Sequence, residues 1–289
     1  MRRASLKGAR APSKGKRTPQ RSVVLLIGAG RMGSALIKGW IGSKRFSAIH
    51  VVEPSPSAGV RSLARKRAII LHAAPPSILP RLAAVVLALK PQVLKGEGDL
   101  LRELGKTGAL VLSIAAGVGT PLLRQKLGRA GPLVRAMPNT PGAIGKGITV
   151  LCAGGNLSAP NRTLAEALMA ALGETLWLSD EALMDAVTAV SGSGPAYVFL
   201  VAETLAAAGR AQGLDGATAE RLARATVAGA GALLAADSRP ASELRKEVTS
   251  PGGTTEAALN VLMAHDGLEA LMRRAVDAAT RRGRELGKA

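Results

Sequence analysis

A chain of 289 residues that is 47% apolar but only 2% aromatic can bury the cores of two ordinary domains, built from Ala, Leu, Val and Gly. Its single cysteine, Cys152, excludes an intrachain disulfide and a cysteine-based zinc site, and reads as a buried structural thiol in a reducing cytoplasm. The net charge of +19 invites a nucleic-acid reading, which its distribution weakens. Residues 1–21 carry Arg2, Arg3, Lys7, Arg10, Lys14, Lys16, Arg17 and Arg21 and no acid, eight of the nineteen surplus charges. Gly8, Pro12, Gly15 and Pro19 break any helical pattern there, which predicts a disordered basic tail. Such a tail is inert or binds polyanions, and an Arg-rich, acid-free start also matches an organellar transit peptide. No apolar stretch follows it, so a secretory signal is not expected. The longest apolar runs, such as 85–89, are too short to span a bilayer.

Order is expected from Ser22. Residues 23–27 form a short apolar run ending in glycine, the pattern of a strand buried on both faces. Helical spacing follows over 32–44. Further buried strands are predicted at 49–52, 83–89, 109–114, 133–137 and 148–152, with a last one at 175–178. Helices are predicted between several of them, at 58–67, 93–104 and 121–127. This alternation predicts an α/β fold, a Rossmann-like doubly wound parallel sheet. After Ser179 no strand pattern remains. Helical patterns at 181–190, 195–213, 217–236, 241–248, 254–265 and 268–286 predict an all-α domain, with Gly213, Gly252, Gly253 and Gly267 between them. The expected division is 1–21 tail, 22–179 dinucleotide-binding domain and 180–289 helical domain.

Gly28, Gly30 and Gly33 form G-x-G-x-x-G between the first strand and the first helix. One glycine permits the tight turn, one the approach of the pyrophosphate, and one the packing of helix on strand. The pyrophosphate then meets free N–H groups at a helix N-terminus. Glu53 ends the second strand, where an acidic side chain binds a ribose 2′-hydroxyl, which favours NAD. Ser55, Ser57, Arg61 and Arg65 follow closely and suit a 2′-phosphate, so NADH and NADPH both stay open. Lys90 and Asn139 lie just after strands, at the sheet end where ligands of such folds collect.

Several stretches together resemble pyrroline-5-carboxylate reductase. They are VVLLIGAGRMGSAL at 23–36, LALKPQVL at 87–94, LVLSIAAGV at 110–118 and VRAMPNTP at 134–141. In the helical half they are AVSGSGPAYVFL at 189–200 and VTSPGGTTEAALNVL at 248–262, the latter the most specific. The resemblance covers residues 23–286. It implies NAD(P)H-dependent reduction of the cyclic imine 1-pyrroline-5-carboxylate to L-proline, usually with NADPH. It also implies a helical domain that dimerises, with dimers commonly gathered into decamers. The family's cofactor contacts fall on Gly28, Ala29, Gly30, Arg31, Met32 and Gly33, on Ser55, on Ala88, Leu89, Lys90 and Pro91, and on Ala116. Its substrate contacts fall on Ser250, Gly253, Thr254 and Thr255, with Glu181 and Glu247 as weaker candidates. Thr255 would place its hydroxyl beside the imine nitrogen. Glu53 and Pro75 depart from the family pattern and put the NADPH preference in doubt.

Read without that resemblance, Ser250-Pro251-Gly252-Gly253-Thr254-Thr255 is a tight turn before a helix. It suits a bound carboxylate or a plain capped start with Thr254 as N-cap. Ser191-Gly192-Ser193-Gly194-Pro195 likewise suits helix packing or substrate contact. Hydride transfer from a nicotinamide needs position and field more than acid–base groups. No metal cluster is expected. His50, His72 and His265 have no paired spacing and read as surface or packing residues. Two rivals remain. One is a reductase of similar build acting on a β-hydroxyacid or another imine; the hydroxyacid type would want a lysine on the first long helix, and 195–213 has none. A redox-sensing protein with a nucleic-acid-binding tail would want a helix-turn-helix or stacking platform, and none is legible.

Overall fold

The computed structural model describes residues 22–76, 81–128 and 131–288. The basic stretch 1–21 lies outside them.

Strand β1 (Ser22–Ile27) runs into α1 (Arg31–Ser43), then β2 (Phe46–Val52), α2 (Ala58–Arg65) and β3 (Ile70–His72). Next come β4 (Ala84–Leu87), α3 (Pro91–Gly96), α4 (Gly98–Lys106), β5 (Leu110–Ser113), α5 (Thr120–Leu127) and β6 (Leu133–Met137). β7 (Gly147–Ala153), α6 (Ala159–Met169) and β8 (Gly173–Leu178) complete the sheet, in the order β3-β2-β1-β4-β5-β6-β7-β8. Side chains alternate across β1. Val24 and Leu26 enter a cluster with Leu36, Trp40 and Leu168, while Leu25 and Ile27 join Leu94, Leu101 and Leu123 on the other face. Both faces are therefore buried, which is why the strands read as continuous apolar runs. The Trp40 indole N–H donates to Leu168 O at 2.8 Å and ties α1 to α6.

The sheet departs from the expected one in particulars. β7 runs antiparallel to β6, and β8 parallel to β7. The short turn Thr140–Ile144 between β6 and β7 contains Pro141 and no crossover helix, so the chain can only return beside the strand it left. β3 and α6 were not expected. The single helix expected over 93–104 is two, divided at Glu97.

No described residue after Leu178 is in a strand. Residues Glu181–Leu183, α7 (Met184–Val187) and a π-helical turn at Thr188–Gly192 replace the regular helix expected over 181–190. α8 (Gly194–Ala211) and α9 (Gly216–Ala236) pair as a hairpin, and the Asp215 carboxylate caps α9 through the N–H groups of Ala217 and Thr218. α10 (Ala241–Glu247), α11 (Thr254–Leu262) and α12 (Leu268–Lys288) follow. α12 returns to the sheet domain, where a Cβ on Gly117 would stand 3.6 Å from Leu286. No residue of α10 or α11 is buried in the single chain. Phe199, Leu233 and Val261 are 68%, 65% and 73% exposed. No described helix is long and apolar enough to cross a membrane.

Candidate active site

The glycine turn joins β1 to α1. Gly28 has φ +94°, and its N–H donates to Val52 O at 2.9 Å. A Cβ there would lie 2.6 Å from Ala88 O, and one on Gly33 would run into Gly28 O. A Cβ on Gly30 would meet nothing within 4 Å. Two glycines are thus required by the fold, and the third faces open space. That space is a cleft of about 910 Å³ lined by Gly28, Gly30, Glu53, Pro75, Leu89 and Lys90, among others. Arg31, exposed, and Met32, packed against the core, open α1 without lining the cleft, and no acidic side chain lies in the first turn of α1. A positive helix end above an uncrowded glycine fits a pyrophosphate. Ala88 follows β4 and is half-buried, Lys90 is the N-cap of α3, Pro91 its first residue, and Ala116 is exposed after β5. All lie at the carboxyl ends of parallel strands.

Glu53 Oε2 accepts from the Ala29 N–H at 2.7 Å, and Oε1 from the Ser55 N–H at 3.1 Å. The carboxylate therefore links the end of β2 to the glycine turn. Ser57 caps α2 by accepting from Val60 N at 3.3 Å, and the Arg61 guanidinium donates to Pro56 O.

The structure does not bring Asn139 to the cleft. Its amide oxygen accepts from Ile148 N at 3.0 Å and braces β7. His50 and His72, expected to be unrelated, meet across β2 and β3. His50 Nδ1 and His72 Nε2 are 3.0 Å apart. The centroids are 5.2 Å apart with planes at 8°, so the rings lie nearly end to end. No spacing in the sequence signals this pair, because it depends on the unexpected β3. Burial, and then the charge of His72, lowers the His50 pKa. Among the described residues no group of three or more His, Cys, Asp or Glu could hold a metal ion.

The second expected cluster lies at the start of α11, whose N-cap is Gly253 rather than Thr254. Gly252 has φ +71°, and its N–H donates to Glu256 Oε2 at 2.7 Å. Gly253 N donates to Ser250 O at 3.0 Å. The N–H groups of Thr254 and Thr255, in the first turn of α11, find no acceptor among the described residues. Ser250 and Thr254 are exposed, and Thr255 is half-buried. This turn lines no part of the cleft beside the glycine turn of its own chain.

Glu181 and Glu247 stand apart from that turn's hydrogen bonds. Glu247 accepts from Arg239 at 2.8 Å, and Arg239 also grips Asp237. Glu181 accepts from Thr120 N at 2.8 Å, from Thr120 Oγ1, and from Arg135 Nη1 at 3.1 Å. Cys152 is buried beside them, and burial, with Glu181, pushes its thiol pKa up while Arg135 opposes.

Residues 181–286 match the family model for pyrroline-5-carboxylate reductase dimerisation, and 23–117 match that for coenzyme F420-dependent NADP oxidoreductases. The pyrroline-5-carboxylate reductase of Pseudomonas aeruginosa is 40% identical over 266 residues, covering 92% of this chain and 97% of that one. The structure of the Coxiella burnetii enzyme superposes with a TM-score of 0.85 at 36% identity, covering 93% of this chain and 99% of that one. That of the Plasmodium falciparum enzyme with NADP bound gives 0.73 at 25% identity, covering 92% and 98%. The chain belongs to the pyrroline-5-carboxylate reductase family, and its reaction is the NAD(P)H-dependent reduction of 1-pyrroline-5-carboxylate to L-proline, carried out by a homo-oligomer.

Proposed function

We propose that this enzyme reduces its cyclic imine with NADH in preference to NADPH, at a site shared between two copies of the chain. The observation that carries the cofactor reading is the Glu53 carboxylate at the end of β2, 2.7 Å from the Ala29 N–H. It accepts well from a ribose 2′-hydroxyl and repels a 2′-phosphate. Ser57 and Arg61, which would otherwise suit the phosphate, are turned to the backbone of their own loop.

In this reading Gly28 to Gly33 hold the pyrophosphate and Ser55 the ribose side. Ala88 to Pro91 and Ala116 flank the nicotinamide. When bound, the cofactor supplies the hydride. The protein's part is to fix the imine carbon against it and to exclude water. The Thr254 and Thr255 N–H groups at the α11 N-terminus suit the substrate carboxylate. The Thr255 hydroxyl orients the imine nitrogen, the atom that gains electron density as the hydride arrives. Ser250 and Gly253 shape that turn, and Glu247 is the outlying member of the group. Because the turn lines no part of its own chain's cleft, it is assigned to the cleft of the partner subunit. The domains divide near Ser179.

The exposed apolar faces of α8, α9 and α11 suit a dimer, and dimers suit further association up to a decamer. A lone, buried, reduced thiol suits the cytoplasm. Oxidation of NADH and of NADPH, each measured with 1-pyrroline-5-carboxylate, tests the reading. A higher kcat/KM with NADPH would reject the cofactor preference.

A further inference from the structure

Glu181 is the first helical residue after the sheet, and its carboxylate points back into the sheet domain. Oε1 accepts from the Thr120 N–H at 2.8 Å and from Arg135 Nη1 at 3.1 Å, and Oε2 from the Thr120 hydroxyl. Thr120 is the first residue of α5, whose N-cap Gly119 has no side chain to offer. A carboxylate from the other domain therefore caps this helix, where the helix dipole also favours negative charge. The Arg135 side chain on β6 is only 8% exposed and that of Glu181 25%, so each charge depends on the other.

The loop that α5 follows, residues 115–119, carries Ala116. Its middle is touched by the helical half as well, since a Cβ on Gly117 would lie 3.6 Å from Leu286. The helix that follows the loop after β4 has a similar tie, because Lys95 Nζ, in the last turn of α3, donates to Leu286 O at 3.3 Å. The loop bearing Ala116, and the helix after the other loop assigned to the nicotinamide, are thus held from the helical domain, and the Glu181 anchor is the most buried of these ties.

We propose that Glu181 is a positioning residue for hydride transfer: gripped by Arg135, it fixes the start of α5 and through it the loop bearing Ala116 against the nicotinamide. This goes beyond the resemblance, which offers Glu181 only as a weaker candidate for substrate contact, and it rests on the placement of the nicotinamide beside Ala116. A carboxylate with three protein donors is committed to them and has little left to offer an imine. Its influence on the reaction passes through the geometry of the loop. A loop displaced by a fraction of an ångström would leave the pyrophosphate and adenosine contacts intact and spoil only the approach of hydride donor to acceptor.

The test uses the full chain with Glu181→Gln, Thr120→Val and Thr120→Ser, measuring kinetics with 1-pyrroline-5-carboxylate, NADH binding by fluorescence, and thermal melting. Glu181→Gln and Thr120→Val are expected to lower kcat about 10- to 100-fold, the scale of a small misplacement of reacting groups. The dissociation constant for NADH and the KM for the imine should each stay within about twofold, as expected when only a transition-state interaction is lost. Thr120→Ser should recover most of the activity. If Glu181→Gln does not fold, Thr120→Val decides alone, because it leaves the ion pair in place. Unchanged kcat in folded variants overturns the proposal. So does a rise confined to the KM for the imine, which would make Glu181 a substrate contact, or a loss of kcat that merely follows loss of folded protein. Ala116→Leu separates the underlying placement. If it neither weakens NADH binding nor slows turnover, the nicotinamide lies elsewhere, whatever the Glu181 variants do.

Discussion

The Glu53 carboxylate accepts a hydrogen bond from the Ala29 N–H at 2.7 Å, so the end of β2 is held against the glycine turn that follows β1. In the proposed site, an anion fixed there would disfavour the cofactor that carries the additional phosphate. Two unit charges about 4 Å apart repel by roughly 1 kcal/mol in water and 4 kcal/mol near a protein surface. Glu53→Ser should therefore raise the NADPH to NADH ratio of kcat/KM by about tenfold or more. An unchanged ratio would remove Glu53 from the selection of cofactor.

The glycines of the turn should separate by phenotype. Gly33 packs against Gly28 O, while a Cβ on Gly30 meets nothing within 4 Å. Gly33→Val should lower the melting temperature sharply or prevent folding. Gly30→Val should melt like the parent yet lose NADH binding, because its side chain fills the approach of the pyrophosphate. Equal cofactor affinity in the folded Gly30 variant contradicts the assignment of the cleft.

Much of this architecture is legible in the sequence, and most of the exceptions have physical causes. Val24 to Ile27 face two cores at once, so their apolar run announces a buried strand. Ile70 to His72 form a three-residue edge strand with Ile70 46% exposed, too short and too open to show a pattern. α6 has Ser158 as its N-cap residue and Pro160 in its first turn, a start signal that is legible in the sequence and was passed over. The direction of β7 is set by the tight Thr140–Ile144 turn, and direction leaves no mark on an apolar run. The glycine turn was visible because its spacing is local. The Glu181 grip on Thr120 and Arg135 was not, because its partners lie 61 and 46 residues away.

The exposed apolar surface of the helical half makes the oligomer testable. Phe199 on α8 is 68% exposed in the single chain, and covering such a side chain is worth roughly 1.5 to 3 kcal/mol per copy. A two-fold interface counts each change twice. Phe199→Glu should shift the protein toward monomer at micromolar concentration, seen by light scattering, with activity falling in step. Undiminished mass would place the interface elsewhere.

The His50–His72 pair predicts a pH dependence of stability. Burial and then the neighbouring His72 lower the His50 pKa from its ordinary 6.5. The unfolded chain then binds the proton more readily than the folded one. Stability from this source is complete above the unfolded value and is lost as pH falls below about 6.5. The melting temperature should drop on acidification from pH 7.5 to 5, and His50→Gln should flatten that drop. A variant with the parent's full acid sensitivity would show that other groups govern it.

The most informative substitution is Thr255→Ala. Thr255 is the second residue of α11, half-buried, beside N–H groups that no described residue accepts from. The turn before it is held by the chain itself, through Gly252 N to Glu256 at 2.7 Å and Gly253 N to Ser250 O at 3.0 Å. Removing the Thr255 hydroxyl should therefore leave the turn standing and delete one hydrogen bond to the imine nitrogen. Such a loss costs roughly 1 to 3 kcal/mol, or about 5- to 150-fold in kcat/KM. NADH affinity should hardly move, because in the proposed site the cofactor is held by the glycine turn and strand-end loops of the sheet domain, and this turn meets only the imine. Thr255→Ser keeps the hydroxyl and should be much milder. An intermediate case is instructive. If both variants lose activity alike, the methyl group rather than the hydroxyl matters, and Thr255 serves packing at the dimer interface. If Thr255→Ala keeps full activity, the α11 N-terminus is an ordinary helix start and the substrate binds elsewhere.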